Sequence, residues 1–317
     1  MDSALLIAGP TASGKSALAL RIAERCNGVV INADSMQIYS DLRILTARPT
    51  PAEEATVPHA LYGVRDAGQP GSAAWWRAAA LAAMAAAVAA GRLPILCGGT
   101  GLYFAALTQG LADIPDPGPA ARAEARGLLA ERGPEALHAM LAAADPATAA
   151  RLLPTDSQRI ARAWEVWRGT GRGLAEWHAR PALPPAPWRF RAIRIDPPRP
   201  ALREAIAARF DAMLAAGAIA EVQALLARTL DPALPAMRAH GVPELAAHLR
   251  GEINLAEATR RAVHATGRYT RRQATWFRHH DLADPARTHM IHARIAGLAQ
   301  FSERNLCDLL SFIRTPG

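Results

Sequence analysis

Short apolar runs alternate with longer amphipathic stretches over the first hundred residues of the chain. Runs at residues 5–8, 29–32 and 94–97 predict strands, and each run ends in a polar or glycine-rich turn. Residues 17–23 and 72–88 have the spacing of apolar positions that helices show. Strands that alternate with helices in this way are typical of a parallel sheet.

The later sequence is mainly helical, with proline-rich breaks at 114–119 and 181–187 and a strand-like alternation at 189–195. A helical insertion followed by a return to the sheet is the simplest account. The predicted divisions are an α/β core at 1–115, a helical insertion at 116–185, a return to the core at 186–280 and an extension at 281–317, which has a further strand and an amphipathic helix over 301–313.

One motif directly follows the first predicted strand and fits the phosphate-cradling pattern G-x-x-x-x-G-K-[ST]: Gly9, Pro10, Thr11, Ala12, Ser13, Gly14, Lys15 and Ser16. Lys15 is the only lysine among 36 Lys and Arg residues, so a compact ammonium stands only here. We expect Lys15 to reach phosphate oxygens and Ser16 to bind Mg²⁺. The alternative is a tight glycine turn in a plain strand–helix crossover.

The fold class that follows is α/β: a doubly wound parallel sheet of the P-loop NTPase type, with a helical insertion domain and a helical C-terminal part. Ligands of such sheets bind beyond the carboxyl ends of the strands. The P-loop, Asp34 and the turn Gly98-Gly99-Thr100 each follow a predicted strand. We therefore expect all three to meet at one edge of the sheet.

Asp34 can hold Mg²⁺ through water or accept a proton from a nucleophile, and the alternative is an aspartate that caps the next turn. Thr100 offers a hydroxyl, although a plain strand–helix connection fits its turn equally well. The sequence contains no clear apolar run ending in the aspartate typical of hydrolysing P-loop proteins. This absence weighs against a motor or switch NTPase.

The formal net charge is +8, which favours a polyanionic partner, nucleic acid first, although arginine-rich usage also reflects coding bias. A predicted helix over 257–280 carries many of the arginines, and residues 238–280 have a net charge of +5. Arg159, Arg162 and Arg168 recur near helical spacing beside two tryptophans. Both stretches are candidates for RNA binding, and solvated helix faces are the alternative.

Three cysteines, Cys26, Cys97 and Cys307, are far apart and have no C-x-x-C spacing, which argues against a zinc site and against a disulfide framework. No stretch has the length and apolarity of a membrane span, and Met1-Asp2-Ser3 leads directly into the first strand without a signal peptide. These features predict a cytoplasmic protein.

The ordered motifs together resemble the bacterial tRNA dimethylallyltransferase (tRNA isopentenyltransferase) family. Besides the P-loop, the matching stretches are residues 34–39, 46–49, 57–59, 91–96, 98–103, 156–163, Arg209-Phe210 with Met213, and Arg272-Gln273 with Trp276. The chain departs from the family pattern at Leu45, Arg48, Ala60 and Val242-Pro243-Glu244.

The resemblance implies transfer of a dimethylallyl group from its diphosphate to N6 of the adenine 3′ of the anticodon, in tRNAs that read codons beginning with U. Lys15 and Arg209 would bind the diphosphate, with Ser16 on Mg²⁺. Asp34 would act as general base, and Thr100 would contact the substrate near the reacting centre. The implied tRNA contacts are Asp34, Ser35, Met36, Gln37, Thr100, Arg122, Gln158, Arg159, Ile160, Ala161, Arg162, Arg271, Arg272, Gln273, Trp276 and Arg278.

Two other functions use the same P-loop: a small-molecule kinase that consumes ATP, and an adenylate isopentenyltransferase that prenylates free adenine nucleotides. Neither needs the helical insertion or the basic C-terminal helix, because a small acceptor requires no such surface. The expected partners are therefore tRNA, through its anticodon stem-loop, and dimethylallyl diphosphate, with Mg²⁺ as cofactor and the enzyme acting as a monomer.

Overall fold

The computed structural model describes residues 2–180, 183–296 and 303–314. It contains a six-stranded parallel sheet in the order β3-β2-β4-β1-β5-β6. The strands are β1 (Ser3–Ala8), β2 (Gly28–Asn32), β3 (His59–Ala60), β4 (Leu93–Gly98), β5 (Arg189–Ile195) and β6 (Thr288–Ile291). The two-residue β3 is too short to show in the apolar pattern. Strands β1, β2, β4 and β5 were predicted in place, and β6 lies in the extension, where a further strand was expected without bounds.

The helices cover both faces of the sheet, as the sequence predicts for a doubly wound fold. They are α1 (Lys15–Arg25), α2 (Pro51–Thr56), α3 (Ala73–Ala89), α4 (Gly101–Thr108), α5 (Gly118–Ala144), α6 (Pro146–Ala149), α7 (Ser157–Thr170), α8 (Leu174–His178), α9 (Arg199–Ala215), α10 (Ala218–Ala227), α11 (Val242–Leu249), α12 (Leu255–His279) and α13 (Glu303–Arg314). The expected start of the last helix at Phe301 lies outside the described residues, as does the break at Pro181.

Alternate side chains of β1 supply the two halves of the core. Leu6 packs on one face of the sheet in a cluster with Trp76 of α3. Leu5 packs on the other face with Ile22 of α1 and Leu309 of α13. Successive side chains of a strand point to opposite faces, so β1, which is apolar from Ala4 to Ala8, must be covered on both sides.

The chain forms two compact units, one comprising Met1–Thr108 with Ala186–Gly317 and the other Gln109–Pro185. The second unit is built from α5 to α8, and its core contains Leu137, Leu141 and Trp164. The long α5 is interrupted at Gly133, where φ is 78°. The four-part division drawn from the sequence stays a prediction.

Among the described residues no single helix is long and apolar enough to cross a membrane. One bent pair, Arg199–Ala215 with Ala218–Ala227, meets that test by length and composition alone.

Candidate active site

The P-loop joins the carboxyl end of β1 to the first turn of α1. The loop enters the left-handed region twice, at Ala12 with a φ of 66° and at Gly14 with a φ of 92°. A β-carbon at Gly14 would overlap the carbonyl oxygen of Ile295, so only glycine fits there. The loop thus leads straight into the amino end of α1, where free amide groups and the helix dipole favour an anion.

Lys15 and Arg209 bring two positive charges to one pocket beside the P-loop. Lys15 Nζ donates a hydrogen bond to the Pro10 carbonyl over 3.4 Å, and Arg209 Nη2 donates to the Thr46 carbonyl over 3.5 Å. Burial lowers the pKa of both side chains, while the nearby Asp34 carboxylate raises it. Two partly desolvated cations that share one carboxylate favour an anionic ligand.

Asp34 follows the end of β2 and is fixed by Asn32. The Asn32 Oδ1 accepts a hydrogen bond from Asp34 N over 2.8 Å, and Asn32 Nδ2 donates to the Asp34 carbonyl over 2.9 Å. Asp34 Oδ1 accepts from Met36 N over 2.9 Å, which is the turn-capping bond expected as the alternative role. In the part of the chain that the structure describes, Asp34 Oδ2 has no hydrogen-bond donor. One carboxylate oxygen is thus held and the other is available to a substrate.

Thr100 joins the turn after β4 to the loop that carries Asp34. Its Oγ1 accepts a hydrogen bond from Ser35 N over 2.9 Å and donates to Ser35 Oγ at 3.3 Å. Tyr269 lies near Thr100 and Asp34, and burial holds the pKa of its phenol above its usual range. Tyr269 of α12 also lines the pocket, and sequence reasoning gave it no role in the site.

The loop after Asp34 reaches the same pocket through Met36 and Gln37. Gln37 Nε2 donates hydrogen bonds to the carbonyls of Thr46 and Ala47, over 2.8 and 2.9 Å. Arg209 donates to the same Thr46 carbonyl. The segment 46–47 therefore positions both Gln37, a predicted RNA contact, and Arg209, a residue predicted to bind the diphosphate.

Glu221 of α10 anchors that segment and was missed by sequence reasoning. Its carboxylate accepts hydrogen bonds from the backbone amides of Arg43, Ile44 and Leu45 over 2.7, 2.8 and 3.0 Å. A lone glutamate in an amphipathic helix carries no sequence signal for partners that lie more than 170 residues away.

The pocket combines polar and apolar walls. Lys15, Ser16, Asp34 and Arg209 contribute charge and hydroxyl groups, and Thr11, Thr266 and Tyr269 add further polar contacts. The apolar part is formed by Leu45, Ile206, Phe210 and Met213. A ligand that carries both a phosphate group and a short hydrocarbon chain complements such a lining.

Gln273, which the resemblance assigns to RNA, lies against the P-loop instead of at the surface. The side chain is 4% exposed, its Oε1 accepts from Thr11 N over 2.9 Å, and its Nε2 donates to the Gly99 carbonyl over 2.9 Å. Trp276 stacks on His280 with ring centroids 4.1 Å apart and packs against Gly101. The three arginines expected beside them are exposed on α12: Arg271, Arg272 and Arg278.

The predicted RNA contacts of the second unit differ in exposure. Ile160 and Ala161 are buried in its core, so their side chains are not at the surface, whereas Gln158 is exposed. The three arginines are ion-paired within the unit: Arg122 with Asp116, Arg159 with Asp156 and Arg162 with Glu165.

Known families match this chain along most of its length. The family model described as IPP transferase matches residues 37–280, and that described as Isopentenyl transferase matches residues 2–59. The tRNA dimethylallyltransferase of Granulibacter bethesdensis is 66% identical over 98% of both chains. That of Gluconacetobacter diazotrophicus is 65% identical over 98% of this chain and 93% of its own.

Solved structures agree with the sequence matches. The full-length tRNA isopentenylpyrophosphate transferase from Bacillus halodurans superposes with a TM-score of 0.69 at 30% identity, over 99% of this chain and 96% of that one. The sheet, the P-loop and the mixed pocket define a group-transfer enzyme with a P-loop fold. The chain belongs to the tRNA dimethylallyltransferase, or IPP transferase, family. It is a prenyltransferase that transfers a dimethylallyl group to tRNA.

Proposed function

We propose that the enzyme transfers the dimethylallyl group of dimethylallyl diphosphate to N6 of the adenine 3′ of the anticodon, in tRNAs that read codons beginning with U. Diphosphate is released. The observation that supports this reaction is the shared pocket of Lys15, Arg209 and Asp34. The pocket contains two cations that can bind the leaving diphosphate and one carboxylate that can accept a proton from the amine. Its apolar wall can contact the prenyl chain.

In the reaction, the lone pair of adenine N6 forms a bond to C1 of the dimethylallyl group. The C1–O bond breaks, and its electron pair leaves with the diphosphate. Lys15, Arg209 and the amides of the P-loop stabilise the negative charge that develops on the departing oxygen. Asp34 accepts the N6 proton through Oδ2, the carboxylate oxygen that has no hydrogen-bond donor among the described residues. Tyr269 lines the pocket, and Thr100 supports the loop after Asp34 through its hydrogen bond from the Ser35 amide.

Mg²⁺ fits the oxygen groups of this pocket as a cofactor. The Ser16 hydroxyl lines it beside Lys15 and Asp34, and Mg²⁺ commonly takes substrate phosphates, waters and few protein oxygens. Within the described residues no cluster of three or more His, Cys, Asp or Glu side chains forms a metal cage. Ser16 and the diphosphate would therefore hold the ion, which would supply positive charge beside the leaving group.

An adenine in the anticodon loop must leave its stack to reach a pocket of this kind. We propose that the enzyme acts as a cytoplasmic monomer on this loop.

The test measures transfer of labelled dimethylallyl from its diphosphate to an unmodified anticodon stem-loop RNA with Mg²⁺. AMP serves as competing acceptor, ATP as competing donor, and a stem-loop with the target adenine replaced by guanine as matched control. We expect label only in the adenine-containing RNA. Prenylated AMP would instead identify an adenylate isopentenyltransferase, and consumption of ATP would identify a kinase.

A further inference from the structure

A second concave surface lies beside the catalytic pocket and contains most of the unpaired positive charge of α9 and α12. We call it the basic groove and define it by its rim arginines: Arg199, Arg203, Arg268, Arg271 and Arg278. Its floor is formed by Leu202, Ile206 and Val263, and Ile206 also lines the catalytic pocket. The two cavities therefore share a wall.

Helix geometry explains why the arginines converge. Arg199 and Arg203 are four residues apart on α9, and Arg268, Arg271 and Arg278 recur at spacings of three and seven on α12, so each set occupies one face of its helix. Arg268 and Arg278 are about 15 Å apart along the helix axis at the ordinary rise of an α-helix.

None of the five rim arginines has an ion pair, hydrogen bond or ring partner within residues 2–180, 183–296 and 303–314. Two other charged residues of the groove are neutralised locally, because Asp196 pairs with Arg194 and Arg260 pairs with Glu257. Five guanidinium groups gathered without a counterion repel one another, which lowers the stability of the free protein. Such an arrangement is typical of a surface whose counterion is a ligand.

The arginines of the second unit contrast with this pattern. Arg122, Arg159, Arg162 and Arg168 each have an acidic neighbour in their own unit. An acid beside an arginine weakens its attraction for a phosphate. Of the positions that the sequence indicates for RNA, those on α12 are therefore the stronger electrostatic candidates.

We propose that the basic groove binds the phosphodiester backbone of the tRNA substrate and holds it beside the catalytic pocket. The proposal rests on the tRNA function above and extends the RNA surface to Arg199, Arg203 and Arg268, three arginines of the rim for which no motif gave a role. Its apolar floor favours a sugar–phosphate strand over a fully hydrated free anion. Binding of five phosphates contributes a slope of about −4 to the logarithmic dependence of tRNA affinity on salt.

The test compares the double variant R199A/R203A, which leaves the arginines that the resemblance already assigns to RNA in place, with R21A/R250A, in which the same charge is removed from arginines that pair with Glu24 and Glu252 outside the groove. All four side chains are at least partly exposed on helices or at a helix end, so we expect both proteins to fold with the wild-type Tm. We expect R199A/R203A to bind stem-loop RNA about 10- to 30-fold more weakly at 0.15 M salt, with a slope smaller by about 1.5. The KM for dimethylallyl diphosphate should stay unchanged.

Equal affinities and equal salt slopes for the two variants would contradict RNA binding by the basic groove. The proposed function would stay intact, provided that the wild-type enzyme prenylates the stem-loop. A raised KM for dimethylallyl diphosphate with unchanged RNA affinity would also contradict RNA binding by the groove, since the groove would then serve the small substrate. Wild-type enzyme that prenylates no RNA would contradict the proposed function itself, and the groove would lose its ligand with it.

Discussion

Gln273 Oε1 accepts a hydrogen bond from the backbone amide of Thr11 over 2.9 Å, although 262 residues separate the two in sequence. The same side chain donates through Nε2 to the carbonyl of Gly99. One buried carboxamide in α12 thus ties the P-loop to the turn that carries Thr100. The shape of the phosphate site therefore depends on a helix that the sequence indicated for RNA.

We expect Gln273→Met to raise the KM for dimethylallyl diphosphate about 10-fold, because it leaves a buried amide and a buried carbonyl without partners at similar volume. Steady-state kinetics and direct RNA binding would check this, with Gln223→Met on the exposed face of α10 as control. Loss of RNA affinity with an unchanged KM would instead support the RNA contact that the resemblance implies.

Strand ends were the most predictable part of this fold. Residues 189–195 were predicted as a strand and form β5. The P-loop and Asp34 line one pocket, and Thr100 hydrogen-bonds to the loop after Asp34, because parallel strands end together at this sheet edge. The partners of Gln273 and Glu221 were not predictable in the same way. Their hydrogen bonds join residues far apart in sequence, and neither residue type nor periodicity indicates which backbone group a buried polar side chain will meet.

The arginines of α12 are a second example of contacts that the sequence did not predict. Their presence and their helical spacing could be predicted from the sequence, but their pairing could not. Arg260 and Arg261 share Glu257, whereas Arg268, Arg271 and Arg278 face a groove formed with α9. Net charge alone counts these side chains as equal, and only the fold separates neutralised arginines from available ones.

Asp34→Asn tests the general base while keeping the shape of the side chain. The amide can still accept from Met36 N through its oxygen but takes up no proton, so we expect kcat to fall by about 10²- to 10⁴-fold. RNA affinity should change by less than about threefold, because one neutral hydrogen bond replaces another. Single-turnover transfer and RNA binding would be measured beside Asp211→Asn, an exposed aspartate on α9. Equal losses in rate and affinity would contradict the role as base.

The lowered pKa of Lys15 leads to a prediction about how stability and diphosphate binding depend on pH. Burial lowers its pKa from the ordinary value of 10.5, so the unfolded chain binds a proton at this residue more tightly than the folded protein does. Between the lowered pKa and 10.5, the contribution of Lys15 to the free energy of unfolding therefore rises with pH. The affinity for diphosphate should change in the opposite direction, falling as Lys15 loses its charge.

We expect Lys15→Met to abolish that pH dependence of diphosphate binding and to weaken the binding about 100-fold at neutral pH, since it removes a charge-assisted contact. The Tm of the ligand-free protein should stay equal or rise, because a desolvated ammonium is replaced by an apolar side chain. Calorimetry with diphosphate across the alkaline range and a thermal melt would check both. A large drop in Tm would show that Lys15 supports the loop itself.

Glu221→Gln addresses the segment that positions Arg209. The native carboxylate accepts three backbone hydrogen bonds, from Arg43, Ile44 and Leu45, and an amide presents a donor where one of its oxygens stood. The unmet amide should cost about 1–3 kcal/mol of the free energy of unfolding. Glu204→Gln, on the exposed face of α9, is the control and should leave stability within about 0.5 kcal/mol.

The same variant should also affect substrate binding. Thr46 follows the three amides that Glu221 holds, and its carbonyl accepts from both Gln37 and Arg209. The KM for dimethylallyl diphosphate should therefore rise together with the loss of stability. Denaturant unfolding and steady-state kinetics on the same samples would check the two effects, and a destabilised protein with an unchanged KM would separate this anchor from the diphosphate site.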